Sequence, residues 1–279
     1  DHQWVASTSG DGSESMDIID VDSAGYVYVA GTYTGDLEIS NTEELNDGTT
    51  NDGFVAKLSR DGAWEWVQSI GGGNTDHVVL NDISVTDEGH LYIGGYFSDL
   101  IIIDGTTHFS AGGPDGFLSR LTTDGQWVWT KIIGSSSTDA LYGIDVDIAG
   151  NAHVVGLFTG TVSLGPHTLS SSNTDGFVAR VDKNGVWRWT AETDVGSTAS
   201  DGIVMTEIAI DDSGTSYISG RFAGDLTLNS TNLASQGSTD IFVASLDSDG
   251  NWNWVTSAGG QGVFKAVDLI LLNDELVIA

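Results

Sequence analysis

The run DGFVAKLSRDGAWEW at residues 52–66 returns as DGFLSRLTTDGQWVW at 115–129, DGFVARVDKNGVWRW at 175–189 and DIFVASLDSDGNWNW at 240–254. The leading residues, Asp52, Asp115, Asp175 and Asp240, lie 63, 60 and 65 residues apart, and the same intervals separate Trp66, Trp129, Trp189 and Trp254. Trp4 stands 62 residues before Trp66. A period of this length restricts the chain to an array of like units, each burying a face against its neighbour.

Each unit opens on an apolar segment of period two: MDIIDVD, LNDISVT, YGIDVDI and TEIAIDD. A turn at Gly25, Gly89, Gly150 or Gly214 leads into a second such segment, YVYVAGTY, HLYIGGYF, AHVVGLF or SYISGRF, so the pair reads as an antiparallel hairpin. A variable stretch of about 15 residues follows, expected to form a small extra hairpin or extended loop. The D-G-F and W-x-W segments supply two further strands. The expected fold is all-β, a β-propeller of four-stranded antiparallel blades with about 62 residues per repeat. A β-sandwich would not require one pattern along the whole chain.

The units fall at about 5–66, 67–129, 130–189 and 190–254, with a partial unit at 255–279 joined to 1–4, in a single domain over 1–279. Four full units plus this split fifth are one strand short of five complete blades. The sequence is therefore expected to be an excerpt of a longer chain, or to take a strand from a neighbour.

The ordered combination of IDVDIAGNAHVVGLFTGTVSLG, a loop and TDGFVARVDKNGVWRW resembles the SBBP-type β-propeller repeat of bacterial and archaeal secreted or surface proteins. The resemblance runs from Trp4 to Ala279. It implies a propeller fold and an extracellular habit, and it carries no catalytic signature.

Forty acidic residues against nine basic ones give a net charge of -31, a field that repels phosphate backbones and anionic lipid surfaces. Nucleic acid and direct membrane insertion are excluded as partners on this ground and by the strand-sized length of the apolar runs. There is no cysteine, which removes disulfides and thiolate chemistry together. An extracellular or cell-surface setting, in saline or calcium-bearing medium, suits this charge.

The W-x-W pairs are expected to point to one face of a strand and to pack between blades, rather than to stack on sugars. Asp52, Asp115, Asp175 and Asp240 are expected to bond nearby backbone N–H groups and fix a turn. Lys57, Arg120 and Arg180, five residues further on, are expected to pair with acids of a neighbouring blade. The turn aspartates Asp22, Asp147, Asp211, Asp247 and Asp249 resemble parts of calcium loops, yet lack the closing acid. Glu14, Asp76, Asp139 and Asp201, just before the innermost strands, would face a channel mouth and form a candidate cation site, with Ca²⁺ the ion considered.

The six histidines are scattered, and no H-E-x-x-H, G-x-S-x-G or phosphate loop occurs. The expected function is a non-enzymatic secreted or surface module acting in scaffolding, adhesion or extracellular assembly, through protein partners or self-assembly. The alternative is a glycan- or ligand-binding propeller using variable loops at 34–51, 98–114, 159–174 and 223–239. A polysaccharide-degrading enzyme is a third class, with no residue pattern to announce it.

Overall fold

The computed structural model describes residues 4–40, 43–46, 50–72, 77–195, 202–228, 230–262, 269–272 and 275–278. They form strands and turns, with no helix among the described residues. Four sheets each contain four antiparallel strands in sequence order. The first sheet comprises Glu14–Val21, Val27–Tyr33, Asp52–Leu58 and Trp64–Ile70; the second comprises His77–Val85, His90–Ser98, Asp115–Thr122 and Trp127–Ile133. The third comprises Ala140–Val146, Ala152–Leu164, His167–Val181 and Trp187–Glu192; the fourth comprises Ile203–Ile210, Ser216–Phe222, Asp240–Leu246 and Trp252–Ala258. A two-stranded hairpin, Leu269–Leu272 with Glu275–Ile278, follows. The chain divides into two compact units, Asp1–Ile132 and Ile133–Ala279, the first two sheets falling in one and the last two in the other apart from Ile133.

One turn geometry closes the hairpins at 22–26, 59–63, 86–90, 122–126, 147–151, 182–186, 211–215 and 247–251. At each, the first N–H bonds the fifth carbonyl and the fourth N–H bonds the first carbonyl, as in Thr122 N to Gln126 O at 2.8 Å and Gly125 N to Thr122 O at 2.9 Å. The fourth residue is a glycine with φ between 79° and 87°, the left-handed region a side chain resists. The first residue is Asp, Ser or Thr, whose oxygen can take up the free amides inside the turn. Asp147 Oδ1 accepts from the N–H groups of Ala149 and Asn151, both at 2.9 Å.

Bulges make the strands less regular than their alternation suggests. In the first hairpin of each sheet the register shifts at Met16/Ile18, Leu80/Asp82, Leu141/Gly143 and Met205/Glu207. Opposite the first member of each pair sits Gly31, Gly95, Gly156 or Gly220; a Cβ on Gly31 would lie 1.9 Å from the Ser15 carbonyl oxygen. A second bulge corrects the expectation for W-x-W. Trp66 lies opposite Lys57 and Trp64 opposite the adjacent Leu58, so the residue between the tryptophans is extra and the two indoles face opposite sides of the sheet. The same shift occurs at Trp187/Trp189 and Trp252/Trp254. Trp66 accordingly packs against the core cluster that includes the second sheet's Ile83 and Phe117, and Trp64 against the cluster on the other face that includes Phe54 and Leu58.

Each variable stretch folds as a side hairpin with a hidden core pattern. Leu37 and Ile39, Ile101 and Ile103, Val162 and Leu164, and Leu226 and Leu228 are all buried. They alternate along the first strand of the side hairpin, and burying each pair contributes on the order of 3–6 kcal/mol before chain ordering is counted. Beside them an edge-on aromatic pair recurs in every sheet, Tyr33–Phe54, Phe97–Phe117, Phe158–Phe177 and Phe222–Phe242, with centroids 6.2–6.4 Å apart. The second strands of two side hairpins, Thr106–Phe109 and Thr231–Ala234, are mostly exposed.

Candidate functional site

The repeated tryptophan is a joint between consecutive sheets. Trp66 Nε1 donates to Thr123 O at 3.0 Å, and Trp189 Nε1 donates to Ser248 O at 3.0 Å, each reaching the third-to-fourth-strand turn of the following sheet. Trp4 makes the same bond to Arg60 O at 2.9 Å. The indole lies against the turn glycine so closely that a Cβ at Gly62, Gly125 or Gly250 would fall 2.5–2.8 Å from a ring carbon. An aromatic of the second strand backs the indole: Tyr28 on Trp66, Tyr92 on Trp129, His153 on Trp189 and Tyr217 on Trp254. A second joint, unmarked by the repeat, uses carboxylates of the first strands. Asp20 Oδ2 accepts from Val85 N, and Asp145 Oδ2 from Ile210 N, each at 2.7 Å. Burial raises the Asp20 carboxyl against these hydrogen bonds.

Lys57 and Arg180 do find acids, but on their own sheet. Lys57 Nζ lies 3.0 Å from Glu65, the bulged residue of the fourth strand, and 4.0 Å from the Tyr26 ring centroid. Arg180 Nη2 meets Asp147 Oδ2 at 2.9 Å, across the sheet's own first turn, and Arg120 bonds His90 Nδ1. The expected partner in a neighbouring sheet is thus replaced, because the bulge and the turn already aim an acceptor at each cation. Asp52, Asp115, Asp175 and Asp240 are buried. Asp115 Oδ2 accepts from Ala111 N at 2.9 Å and Asp240 Oδ2 from Gln236 N at 2.9 Å, the local bond expected of them. The Asp52 oxygens have no hydrogen-bond partner among the described residues.

Of the four acids expected at a channel mouth, Asp76 and Asp201 lie outside the described residues. Glu14 is exposed and forms the first residue of its strand rather than preceding it. Asp139 is buried, and accepts from Ser135 N at 2.6 Å and Thr159 N at 3.1 Å. Burial raises its carboxyl. The turn aspartates spend their oxygens similarly: Asp22 on Tyr26 N, Asp211 on Ser213 N and Thr215 N, and Asp247 on Asp249 N and Asn251 N.

In the second unit Asp147, His153 and Arg180 form a polar cluster, of which Arg180 also lines an open cleft. The cleft, about 550 Å³, is lined by residues including Asn151, Arg180, Lys183, Arg188, Trp189 and Asp249. His153 is 1 % exposed, with Nδ1 2.8 Å from Ser216 Oγ on the fourth sheet and Nε2 3.6 Å from Asp147 Oδ2. Burial pushes its pKa down, keeping the ring neutral. For Asp147 burial acts upward, but the His153 ring beside it and the hydrogen bonds from Asn151 outweigh it and hold the carboxyl well below the usual range. A histidine buried this way ties two sheets together; it is not part of the lining of the larger cleft, and with Asp147, Arg180 and Asp211 it borders a smaller cavity of about 140 Å³. Sequence reasoning passed over His153, although its place is held by Tyr28, Tyr92 and Tyr217 in the other sheets.

The first unit holds a smaller cavity, about 270 Å³, between the fourth strand of the second sheet and its side hairpin. Asp104, Thr106 and His108 line one side, and Trp127, Val128, Trp129 and Thr130 the other. Asp104 and Gly105 have φ of 51° and 68°, the signature of a two-residue type I′ turn, which fixes the carboxylate at the rim. Burial lowers the His108 pKa. The arrangement offers aromatic surface with an acceptor, hydroxyls and a neutral imidazole.

No family model matches the chain. It is similar to an uncharacterized WD repeat-containing protein, L264, of Acanthamoeba polyphaga mimivirus, at 24% identity over 267 residues and 79% of this chain. The matched region is 19% of that relative's length. In fold the chain is similar to a protein of unknown function from Dyadobacter fermentans DSM 18053, with a TM-score of 0.53 and 14% identity over 95% of this chain and 74% of that one. A repeat-like all-β chain with four-stranded antiparallel sheets fits a β-propeller in general.

Proposed function

We propose that the chain is a β-propeller module of the secreted or cell-surface kind, working as a non-enzymatic scaffold or adhesion element that binds protein partners. The observation that carries this reading is the division of labour within the side hairpins of the second and fourth sheets. In each, the first strand is sunk into the core by a pair such as Ile101 and Ile103, while an outer strand such as Thr106–Phe109 faces solvent with a sequence of its own. Anchored hairpins of differing outer sequence on a repeated frame are suited to recognition, and WD-repeat similarity is consistent with it. Exchanging the exposed Thr106, Thr107, Phe109, Thr231 and Asn232 for Ser, with Leu233 kept because it packs on the core, should abolish association measured by cross-linking in the native source, with the melting temperature little changed. Retention of every cross-link would defeat the proposal.

The cavity beside Asp104 favours a second reading, a neutral glycan end. A volume near 270 Å³ suits one pyranose ring, indole carbons can meet its C–H face, and Asp104 can accept from its hydroxyls. Titration with neutral methyl hexosides should give saturable binding that falls about tenfold in Asp104→Asn, since Asn keeps the type I′ turn but not the charged acceptor. Equal binding by the variant would sink this reading.

A further inference from the structure

Three of the chain's nine basic residues, Arg180, Lys183 and Arg188, line the 550 Å³ cleft of the second unit. Comparison of the repeats shows how they come together there. Position 180 is Lys57, Arg120 or Ser245 in the other sheets, position 183 is Arg60, Thr123 or Ser248, and position 188 is Glu65, Val128 or Asn253. In the first sheet the bulged residue is an acid that neutralises that sheet's own cation, Lys57 Nζ lying 3.0 Å from Glu65. In the third sheet the bulged residue is Arg188, so the acid is replaced by a further cation. Two carboxylates, Asp182 and Asp249, stand against the three cations, and the lining carries one excess positive charge on a chain of net charge -31.

The ion pairs along the cleft leave donors over. Arg180 Nη2 donates to Asp147 Oδ2 at 2.9 Å, and its buried Nε has no hydrogen-bond partner among the described residues. Arg188 gives Nε to Asp182 Oδ2 at 3.1 Å and Nη2 to the same oxygen, with its side chain 55 % exposed. A guanidinium has five N–H donors in one plane, so each arginine retains N–H groups beyond those its own acid takes up, and a carboxylate is the planar acceptor that fits them. Asn184, Ser248 and Asp249 add an amide, a hydroxyl and a carboxylate to the lining. Apolar surface is scarce, since Ala149 is small and Trp189 is 9 % exposed, with Gly250 and the His153 ring against it.

These features select the ligand. One negative charge suits an excess of one positive charge, whereas a polyanion meets Asp249 and the field of the whole chain. Hydroxyl groups suit Asp249, Asn184 and Ser248, because each hydroxyl both donates and accepts. A peptide would need an apolar anchor that this lining does not offer. With about twice the volume of the cavity beside Asp104, the cleft has room for two sugar rings. We propose that the cleft binds an acidic saccharide carrying one carboxylate, a uronate linked to a neutral sugar, with Lys183 and Arg188 on the carboxylate and Asp249 accepting from hydroxyls. The site is built on the third-to-fourth-strand turns and not on the side hairpins, so it rests on neither reading of function given above.

The test is titration of the whole chain, at about 150 mM salt, with cellobiouronic acid and with cellobiose, its counterpart lacking only the carboxylate. Cellobiouronic acid is expected to bind saturably with Kd in roughly the millimolar range, and cellobiose at least about tenfold more weakly. Lys183→Ser and Arg188→Asn install the fourth sheet's Ser248 and Asn253, beside which the turn aspartate Asp247 still accepts from Asp249 N and Asn251 N at 3.0 and 2.9 Å, so the repeat itself tolerates both residues. Each should weaken cellobiouronic acid about three- to tenfold with little change in melting temperature, and Arg188→Lys, which keeps the charge but not the fork, should lie between Arg188→Asn and the unaltered chain. Arg60→Ser removes the cation at the matching position of the first sheet, changes the net charge equally, and should leave Kd within about twofold. No saturable binding up to about 20 mM, equal binding of cellobiose, or an equal loss in Arg60→Ser would each overturn the proposal. Tighter binding of triglutamate would reassign the cleft to an acidic peptide, and displacement by sodium sulfate at matched ionic strength would reduce it to a general anion patch; either result also overturns it. Serine replacement of the exposed side-hairpin residues should leave this binding intact, so the test and that of partner recognition fail separately.

Discussion

A methyl group added at Gly125 meets two penalties at once. The residue has a φ of 79°, and its Cβ would fall 2.8 Å from the Trp66 ring. Gly105 has a similar φ of 68° with nothing within 4 Å. Gly105→Ala should therefore cost about 1–2 kcal/mol from backbone strain alone. Gly125→Ala should cost about 2–5 kcal/mol, because displacing the indole adds overpacking to that strain. Urea midpoints at constant m-value measure the difference, which is the contribution of the joint. His153 supplies a second test. Its folded pKa lies below its unfolded value near 6.5, so the unfolded chain binds the extra proton and stability falls as pH drops below about 6.5. Asp147 is also depressed, so its contribution is present above about pH 4 and is lost only as pH falls further. His153→Tyr, which installs the residue found at Tyr28, Tyr92 and Tyr217, should flatten the slope between about pH 6.5 and 5, while the acid limb keeps the part that Asn151 and Arg180 supply to Asp147. Denaturant midpoints across pH read this directly, and an unchanged slope would assign it to another group.

At the scale of elements, the sequence made the sixteen frame strands legible, because period-two apolar runs and Asp/Gly turns are both local signals. The bulges were not legible. W-x-W looks the same whether its middle residue is part of the ladder or extra, and only Trp66 opposite Lys57 with Trp64 opposite Leu58 separates the cases. The side hairpins were legible in part: the stretch reads as a small hairpin or an extended loop, and its variable length obscured the recurring L-x-I, I-x-I, V-x-L and L-x-L core pairs that anchor it. The joints of the candidate site were foreshadowed by the tryptophans, whereas Asp20 bonding Val85, 65 residues away, left no local trace. If the first strand of a side hairpin is core, Ile101→Ala should destabilise by about 2–5 kcal/mol. Phe109→Ala, on the exposed outer strand, should stay within about 0.5 kcal/mol. Equal effects would restore the view of the whole stretch as a surface loop.

For the whole molecule the decisive quantity is the charge of -31, spread over a frame whose packing repeats regardless of it. At about 10 mM salt the screening length is roughly 30 Å, so carboxylates on one unit repel across the whole of it; at about 150 mM it is roughly 8 Å. Compact states should gain on the order of 1–2 kcal/mol over this range, raising the melting temperature by about 2–8 °C. Calcium divides two causes of such a gain. Asp139 and the turn aspartates Asp22, Asp147, Asp211 and Asp247 already accept hydrogen bonds from main-chain N–H groups, and a cation would have to displace those donors. Calcium chloride and sodium chloride at matched ionic strength should consequently give melting temperatures within about 2 °C of each other, as expected for screening without a tight site. A calcium-specific rise that saturates at micromolar ion, and that Asp139→Asn removes, would reverse this and restore the cation site expected before the innermost strands.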